Sequence, residues 1–247
     1  MCLLALYFQA FSRYPIVVAA NRDEHHDRPS AAPQILRDKP LVYGGKDLRA
    51  GGTWLGVNEH GLFVGVLNRR AEPLESAPLR SRGLLCLDLL AAKDAAHARQ
   101  ALGDHEAFSY RPFNLVFGDP RAAFAAYNEG GRIFCFPLAA GVHVFGNAPL
   151  RETTSEKLKW ARRLFERARP QASDAPAVEE LRAALSDHTG ARDNGPKDAI
   201  CVHLPAYGTV SSSLLFYDRA RRLFLTYYAP GPPCQRPYEK GLLIPLP

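Results

Sequence analysis

The sequence predicts a layered α+β domain in which most of the strands are antiparallel. Strand-like segments come early and late in the 247-residue chain, helical segments lie between them, and hairpin turns join several of the strands. Short, continuous apolar runs are typical of strands buried on both faces, and such strands need helices packed on them. A parallel dinucleotide-binding sheet is not expected, because the chain has neither a Gly-x-Gly-x-x-Gly nor a Walker sequence.

The first half of the chain carries two pairs of strands and then a helix. The first pair is joined by a turn that contains Pro15, and the second by Glu59-His60-Gly61, a hairpin signal with glycine at the tight position. Apolar spacing without a helix breaker predicts one helix over 81–102. The four predicted strands are residues 2–8, 16–20, 54–58 and 62–68.

The second half begins with a meander, continues with two helices and returns to strands. Turns at Asp119-Pro120 and Gly130-Gly131 separate the meander strands, and Thr153 with Glu156 forms a capping-box pattern that opens a helix ending before Pro170. A second helix is predicted over 177–185. The predicted strands are 113–118, 122–127, 132–136 and 142–145 in the meander, then 199–204, 212–217 and 223–228 before a proline-rich tail.

Length and composition predict one large cytoplasmic domain over residues 1–247, with two small domains as the alternative. Hydrophobic residues make up 47% of the chain, enough to fill its core, and no apolar run approaches the length of a membrane span. The first eight residues lack the basic segment and cleavage site of a signal peptide. The net charge is +6, but acids separate the basic residues as on a solvated surface, so no nucleic-acid partner is expected.

The five cysteines are odd in number and scattered, without Cys-x-x-Cys spacing. They predict neither a disulfide framework nor a zinc site, and they favour a reducing cytoplasm. The histidines lack the spacing of metal ligands as well, so His25, His26, His143 and His203 are predicted to be ordinary surface or core residues. No metal site is therefore expected.

Cys2 directly follows Met1, and this placement suggests an N-terminal nucleophile. A small second residue allows the initiator methionine to be removed, which leaves a thiol and a free α-amine on one residue. Because the amine has an unperturbed pKa of roughly 7.7–8.0, it can take the proton of the thiol. The alternative is that Cys2 is simply a buried apolar residue at the start of a strand.

Four polar residues, Asn21-Arg22-Asp23-Glu24, follow the second apolar run. A hairpin between the first two strands would bring them beside Cys2. Consecutive polar side chains are poor material for a core because buried polar groups need partners. They are therefore either part of a functional site or the start of a solvated loop that continues through His25-His26-Asp27-Arg28.

Together, Cys2, the Asn21–Glu24 stretch, Gly-Gly-Thr-Trp-Leu-Gly at 51–56 and Ser81-Arg82-Gly83 resemble the NRDE family, also called the transport and Golgi organisation 2 family. The resemblance covers nearly the whole chain. It implies the N-terminal-nucleophile hydrolase fold, a four-layer αββα sandwich of two mostly antiparallel sheets. For function it implies either an amidohydrolase-like ancestry or a role in haem or lipid handling.

A more distant similarity, to choloylglycine hydrolases and penicillin V acylases, implies roles for single residues. Asn68 ends a hairpin that is similar to the one carrying their oxyanion-hole asparagine, and Asn147 in Gly146-Asn147-Ala148-Pro149 is similar to their second substrate-side asparagine. Asp23 corresponds to the aspartate that holds the terminal amine. One departure is Val210, which stands where the NRDE family usually has arginine.

Three further residues are expected to contact the substrate: Asn21, Arg22 and Trp54. For Trp54 the alternative is a core tryptophan after a tight turn, and Asn114 is interpreted as fixing a turn or binding substrate. The favoured function is hydrolysis of an amide or related acyl compound through a Cys2 thioester, which needs no metal or organic cofactor. The alternative is a carrier of haem or an acyl lipid on the same fold.

Overall fold

The computed structural model describes residues 3–69, 80–150, 155–168, 177–189, 195 and 198–246. In this part of the chain two antiparallel sheets lie face to face, and two helices pack on the outer face of each. The predicted αββα sandwich is therefore confirmed. None of the described helices combines the length and the apolar character that crossing a bilayer requires.

The elements are numbered in chain order. The helices are α1 Arg82–Leu89, α2 Ala95–Gly103, α3 Glu156–Arg167 and α4 Val178–Leu185, and Ala107–Ser109 forms a single 3-10 turn. The strands are β1 Leu3–Phe8, β2 Ile16–His25, β3 Ser30–Asp38, β4 Leu41–Asp47, β5 Leu55–Asn58, β6 Phe63–Asn68, β7 Phe113–Gly118, β8 Ala123–Glu129, β9 Arg132–Pro137, β10 Gly141–Gly146, β11 Tyr207–Asp218, β12 Leu223–Ala229, β13 Glu239–Lys240 and β14 Ile244–Pro245.

The two sheets differ in how the chain builds them. The second sheet is a continuous meander from β3 to β9. The first sheet has the order β10-β1-β2-β11-β12-β13, with β14 also paired to β12, so it joins the two ends of the chain. In this sheet β1 lies between β2 and β10, and Leu3 pairs with Asn21 on one side and with Gly146 on the other.

The continuous apolar run of β1 is explained by burial on both of its faces. Leu4, Leu6 and Phe8 belong to the core between the sheets, whereas Leu3 and Tyr7 belong to the core under α3 and α4. Side chains of a strand alternate between faces, so a strand with two buried faces needs apolar residues at every position.

The single helix predicted over 81–102 is wrong, because two helices, α1 and α2, form there. The side-chain amide of Asn58 donates hydrogen bonds to the carbonyl oxygens of Leu90 and Ala92, at 2.9 and 2.8 Å. Asp94 then caps α2 by accepting from the N–H of His97 at 2.9 Å. Tertiary contacts, rather than a helix breaker in the sequence, therefore end the first helix.

Two strand predictions need correction, and two strands were not expected. Residues 142–145 do form a strand, β10, but it pairs with β1 in the first sheet instead of extending the meander. Residues 199–204 form no regular strand; there the structure has an isolated bridge between His203 and Gly208. Strands β3 and β4 were not predicted from sequence, and β2 continues through the polar stretch to His25, so that stretch is not a solvated loop.

The helix predicted from the capping box forms as α3. Thr153 lies outside the described residues, and the cap that the structure describes is Ser155, whose hydroxyl accepts from the N–H of Leu158 at 3.4 Å. The second predicted helix, 177–185, is observed as α4, and Glu180 accepts a hydrogen bond of 3.1 Å from the N–H of Ala177 at its start.

Candidate functional site

A cavity of about 340 Å³ opens at the edge of the first sheet where β2 and β10 end. Its wall includes Asp23 and His25 from β2, Asn147 after β10, Lys157 from α3, and Tyr207 at the start of β11. Leu3 is flanked by Asn21 of β2 and Gly146 of β10, so the cavity lies at the end of the sheet where β1 begins.

Asp23 is a buried carboxylate in the wall of this cavity, with 1% of its surface exposed. The hydroxyl of Thr209 donates a hydrogen bond of 2.7 Å to its Oδ1. The same hydroxyl accepts from the N–H of Val202 at 2.9 Å, which fixes its direction. This chain of hydrogen bonds holds the carboxylate in one orientation.

A β-bulge in β11 lies directly opposite this residue. Thr209 pairs with Asp23 and Ser211 pairs with Arg22, so Val210 is the extra residue between them. Bulges of this kind change the direction in which neighbouring side chains point and are frequent beside functional sites. Val210, where the family resemblance leads one to expect arginine, is therefore part of a β-bulge next to the buried carboxylate of Asp23.

Asn147 is held in the cavity wall by a residue from the other sheet. The side-chain amide of Asn114, in β7, donates to the carbonyl oxygens of Gly146 and Ala148 at 2.8 and 2.7 Å. Asn114 is fully buried and is not among the described residues that line the cavity. It therefore fixes the segment that carries Asn147, a positioning role that its place in the sequence does not reveal.

Asn21 lies next to the cavity, but its hydrogen-bonding groups are used inside the protein. Its amide donates to the carbonyl oxygens of Leu185 and Ile200 at 2.8 and 3.1 Å, and its Oδ1 accepts from the hydroxyl of Ser212 at 2.7 Å. The side chain is fully buried. These contacts join β2 to the end of α4 and to the segment before β11, and its predicted contact with substrate stays a prediction.

Arg22 and Trp54 contact each other between the sheets. The guanidinium carbon of Arg22 lies 4.4 Å from the centroid of the Trp54 ring, and its Nη1 donates to the hydroxyl of Ser30 at 3.2 Å. Asp47 supplies a carboxylate oxygen at 4.0 Å from the guanidinium. Burial lowers the pKa of Arg22. Neither residue is among those described in the cavity wall, so their predicted contacts with substrate also remain predictions.

The predicted action of Asn68 together with Asp23 and Asn147 stays a prediction. Asn68 ends β6 in the second sheet and pairs with Phe113. Alternation from Val66 places it on the face that carries α1 and α2, and the described cavity wall does not include it. Cys2 lies outside the described residues. The predicted nucleophile and the predicted oxyanion role of Asn68 therefore stand on the sequence.

A second cluster of chemically active side chains lies close to this site. His188, Cys201, His203 and Cys234 each offer a ligand atom, and these atoms all lie within 4.8 Å of one another. The sequence predicts no metal site, and that expectation stays a prediction, although the structure brings these four possible ligands together. The four residues come from separate segments whose spacing matches no linear zinc motif.

Comparison with solved structures assigns the fold. The chain superposes on penicillin V acylase from Agrobacterium tumefaciens with a TM-score of 0.61 and 12% identity, covering 94% of this chain and 84% of that one. A Caenorhabditis elegans orthologue of N-acylethanolamine-hydrolyzing acid amidase gives 0.58 and 13%, covering 87% and 92%. A C2A mutant of conjugated bile acid hydrolase from Clostridium perfringens gives 0.58 and 10%, covering 100% and 98%. These structures share the N-terminal-nucleophile hydrolase fold.

Sequence relatives identify a narrower group. The chain is 27% identical to the transport and Golgi organization protein 2 homolog of Bos taurus, over 88% of this chain and 89% of that protein. It is also 27% identical to transport and Golgi organization protein 2 of Drosophila melanogaster, over 81% and 75%. The family model described as Transport and Golgi organisation 2 matches residues 1–226, and the chain therefore belongs to the Transport and Golgi organisation 2 family.

Proposed function

We propose that this protein is a cysteine N-terminal-nucleophile hydrolase that cleaves an amide or related acyl compound through a thioester on Cys2. The observation that carries the proposal is the cavity at the start of β1, whose wall holds the buried carboxylate of Asp23 and the amide of Asn147. The fold shared with acylases and amidases supports the same class of reaction.

Chain connectivity limits how far Cys2 is from these groups. Cys2 is joined to Leu3, which pairs with Asn21 and Gly146. Asp23 is two residues beyond Asn21, and Asn147 directly follows Gly146. Because neighbouring strands lie about 4.7–4.9 Å apart, we expect the backbone of position 2, which carries the α-amine, to lie beside the cavity that both residues line.

The proposed reaction begins after Met1 has been removed. The α-amine of Cys2 takes the thiol proton, and the thiolate attacks the substrate carbonyl to form a tetrahedral intermediate. The ammonium then gives its proton to the leaving amine as the carbon–nitrogen bond breaks and the thioester forms. Water attacks the thioester with the amine again acting as base, which releases the acid and restores the thiol.

Two residues of the cavity wall have expected roles in these steps. The carboxylate of Asp23 orients and stabilises the transient ammonium. The amide of Asn147 donates to the oxygen that becomes negative in the tetrahedral intermediate, where one such donor is worth about 2.7–4 kcal/mol. Asn68 is the residue that the resemblance assigns to the oxyanion hole, and the variant Asn68→Ala tests that role separately.

The cavity suits a small substrate with both apolar and charged parts. Its volume of about 340 Å³ is at the lower end of the range of about 300–1,000 Å³ that is typical of ligand pockets. Leu158 and Leu204 supply apolar surface, whereas Lys157, Asp198 and His25 supply charged or polar groups. An acyl group joined through an amide to a polar amine or amino acid matches this wall.

The experiment is a turnover screen with N-acyl amino acids, acyl amines and penicillin-type amides. Wild type, Cys2→Ala and Cys2→Ser are compared with Cys135→Ala, which removes a half-buried thiol on β9, outside the described cavity wall. We expect hydrolysis by wild type and Cys135→Ala and its loss in Cys2→Ala. Haem and acyl-CoA are titrated in parallel. Tight binding without turnover, unchanged by Cys2→Ala, would instead identify a carrier.

A further inference from the structure

Four side chains behind the cavity have the arrangement of a tetrahedral metal site. The Sγ atom of Cys201 lies 3.6 Å from the Sγ atom of Cys234 and 3.6 Å from Nε2 of His203. Nε2 of His203 lies 3.2 Å from the Sγ atom of Cys234. Including His188, the four ligand atoms all lie within 4.8 Å of one another.

These separations are close to the edges of a zinc tetrahedron. Zn–S bonds of about 2.3 Å and Zn–N bonds of about 2.0–2.1 Å at tetrahedral angles give S–S edges of about 3.8 Å and S–N edges of about 3.6 Å. The three separations among Cys201, His203 and Cys234 match these edges to within a few tenths of an ångström. The ligand atom of the fourth residue, His188, lies within 4.8 Å of the other three.

The fourth ligand is oriented by the protein. Nδ1 of His188 lies 2.9 Å from the carbonyl oxygen of Cys201, so the tautomer that carries its proton on Nδ1 donates there and leaves Nε2 for a metal. Metal-binding histidines usually hydrogen-bond a carbonyl or carboxylate through their second nitrogen in this way. Cys201 itself is buried, and its N–H donates to the carbonyl oxygen of Asp187 at 3.0 Å.

The ligands come from three segments that are distant in sequence. His188 follows α4, Cys201 and His203 lie in the irregular segment before β11, and Cys234 lies in the tail after β12. Arg182 of α4 donates to the carbonyl oxygen of Pro233 at 2.9 Å, which holds the tail next to the helix. A bound metal would cross-link these three segments.

We infer that His188, Cys201, His203 and Cys234 bind one Zn²⁺ ion as a closed structural site. Two thiolates with two imidazoles favour zinc among common divalent ions, and four protein ligands leave no open position for chemistry. The two thiols lose their protons when the ion binds. A disulfide would account for neither histidine, and the sulfur atoms, at 3.6 Å, are far beyond the S–S bond length of about 2.05 Å.

The site would stabilise one wall of the cavity. Val202, between two ligands, donates its N–H to the Thr209 hydroxyl that in turn bonds Asp23. Leu204, directly after His203, lines the cavity. The zinc site does not depend on the proposed reaction, however, because its ligands and its test involve neither Cys2 nor a substrate.

The test uses the full chain produced without a polyhistidine tag and kept reduced. Elemental analysis is expected to find one zinc per chain. After chelation and titration with Co²⁺, wild type is expected to show the visible absorption of tetrahedral cobalt together with a thiolate charge-transfer band. Loss of a residue that only supports a metal ligand lowers metal affinity by ~10–100-fold. Cys234→Ser and His203→Ala remove a ligand itself, so they should weaken metal binding by more than that. Cys135→Ser is the matched control and should bind one metal.

Three results would overturn the inference. They are zinc-free protein whose Co²⁺ titration gives no thiolate band, full zinc retention in Cys234→Ser, or a Cys201–Cys234 disulfide in the reduced preparation. The Co²⁺ titration is done on wild type, so it decides the question even where a variant fails to fold. Alkylation gives a further check, since Cys201 and Cys234 should react only after chelation.

Discussion

The side-chain amide of Asn114, in the second sheet, donates a hydrogen bond of 2.7 Å to the carbonyl oxygen of Ala148, at the edge of the first sheet. The same nitrogen donates to Gly146 at 2.8 Å. Asn147 is therefore held on both sides by a buried residue outside the described cavity wall. The geometry of the candidate site depends on this contact between the sheets.

Replacing Asn114 by alanine should lower both stability and turnover. Two carbonyl groups lose their donor, which costs about 1–3 kcal/mol for each group left buried and unpaired. Displacement of Asn147 by about 1 Å should reduce kcat by up to ~10²-fold. Urea unfolding measures the loss of stability, and steady-state kinetics measures the loss of kcat. Asn147→Ala is the control, with a large loss of kcat and a smaller loss of stability. Wild-type kcat in Asn114→Ala would show that the contact does not position the site.

Asp23→Asn should abolish most turnover while the protein stays folded. The amide has the size of the carboxylate and its oxygen can still accept from Thr209, but the charge that stabilises the ammonium of Cys2 is lost. We expect kcat to fall by ~10²–10⁴ with little change in Tm. Thr209→Ser, which keeps the hydroxyl, should remain close to wild type. Full activity of the Asp23→Asn variant would show that the carboxylate of Asp23 has no role in the mechanism.

Asn21→Ala separates a structural role from the predicted contact with substrate. Loss of the amide leaves the carbonyl groups of Leu185 and Ile200 unpaired, so the free energy of unfolding should fall by about 2–6 kcal/mol, at about 1–3 kcal/mol for each group. Denaturant unfolding measures the loss, and KM is measured at a temperature where the variant is folded. A raised KM with unchanged stability would instead support the substrate contact.

Limited alkylation near neutral pH should modify Cys2 before Cys86 and Cys135. Burial raises the pKa of the Cys86 and Cys135 thiols, so both carry little reactive thiolate at neutral pH. Cys2 has its own amine as a base. Peptide mapping after a short exposure to iodoacetamide gives the order of modification. Earlier labelling of Cys135 would mean that Cys2 is not activated.

Strong local patterns made much of the fold predictable. The apolar runs of β1 and β2 and the hairpin turn between β5 and β6 predict those strands, and the spacing of α3 and α4 predicts those helices. Strand β3 escaped prediction because it contains Pro33 and charged residues and lies at the edge of its sheet with alternating exposure. Strand β4 escaped prediction because Gly44-Gly45 interrupts its short apolar run. Pairing of β10 with β1 is a long-range contact that local sequence does not encode.

The candidate site was predictable only in part. The sequence identified Asp23 and Asn147, and the structure places both in one cavity wall. The roles of Asn114 and Thr209 depend on hydrogen bonds between distant segments, which no local pattern reveals. Side chains of β2 alternate between its two faces, so Arg22 points between the sheets, where it contacts Trp54, whereas its neighbours Asn21 and Asp23 point the other way.

The central claim is that Cys2 is a free N-terminal nucleophile that carries the acyl group. Intact-protein mass spectrometry tests this claim most directly. The protein is quenched with acid while it is turning over a substrate found in the screen. We predict a chain that lacks Met1, with a fraction that carries one acyl group removable by hydroxylamine and mapped to Cys2. A homogeneous chain that retains Met1 and carries no acyl group while substrate is consumed would contradict the mechanism.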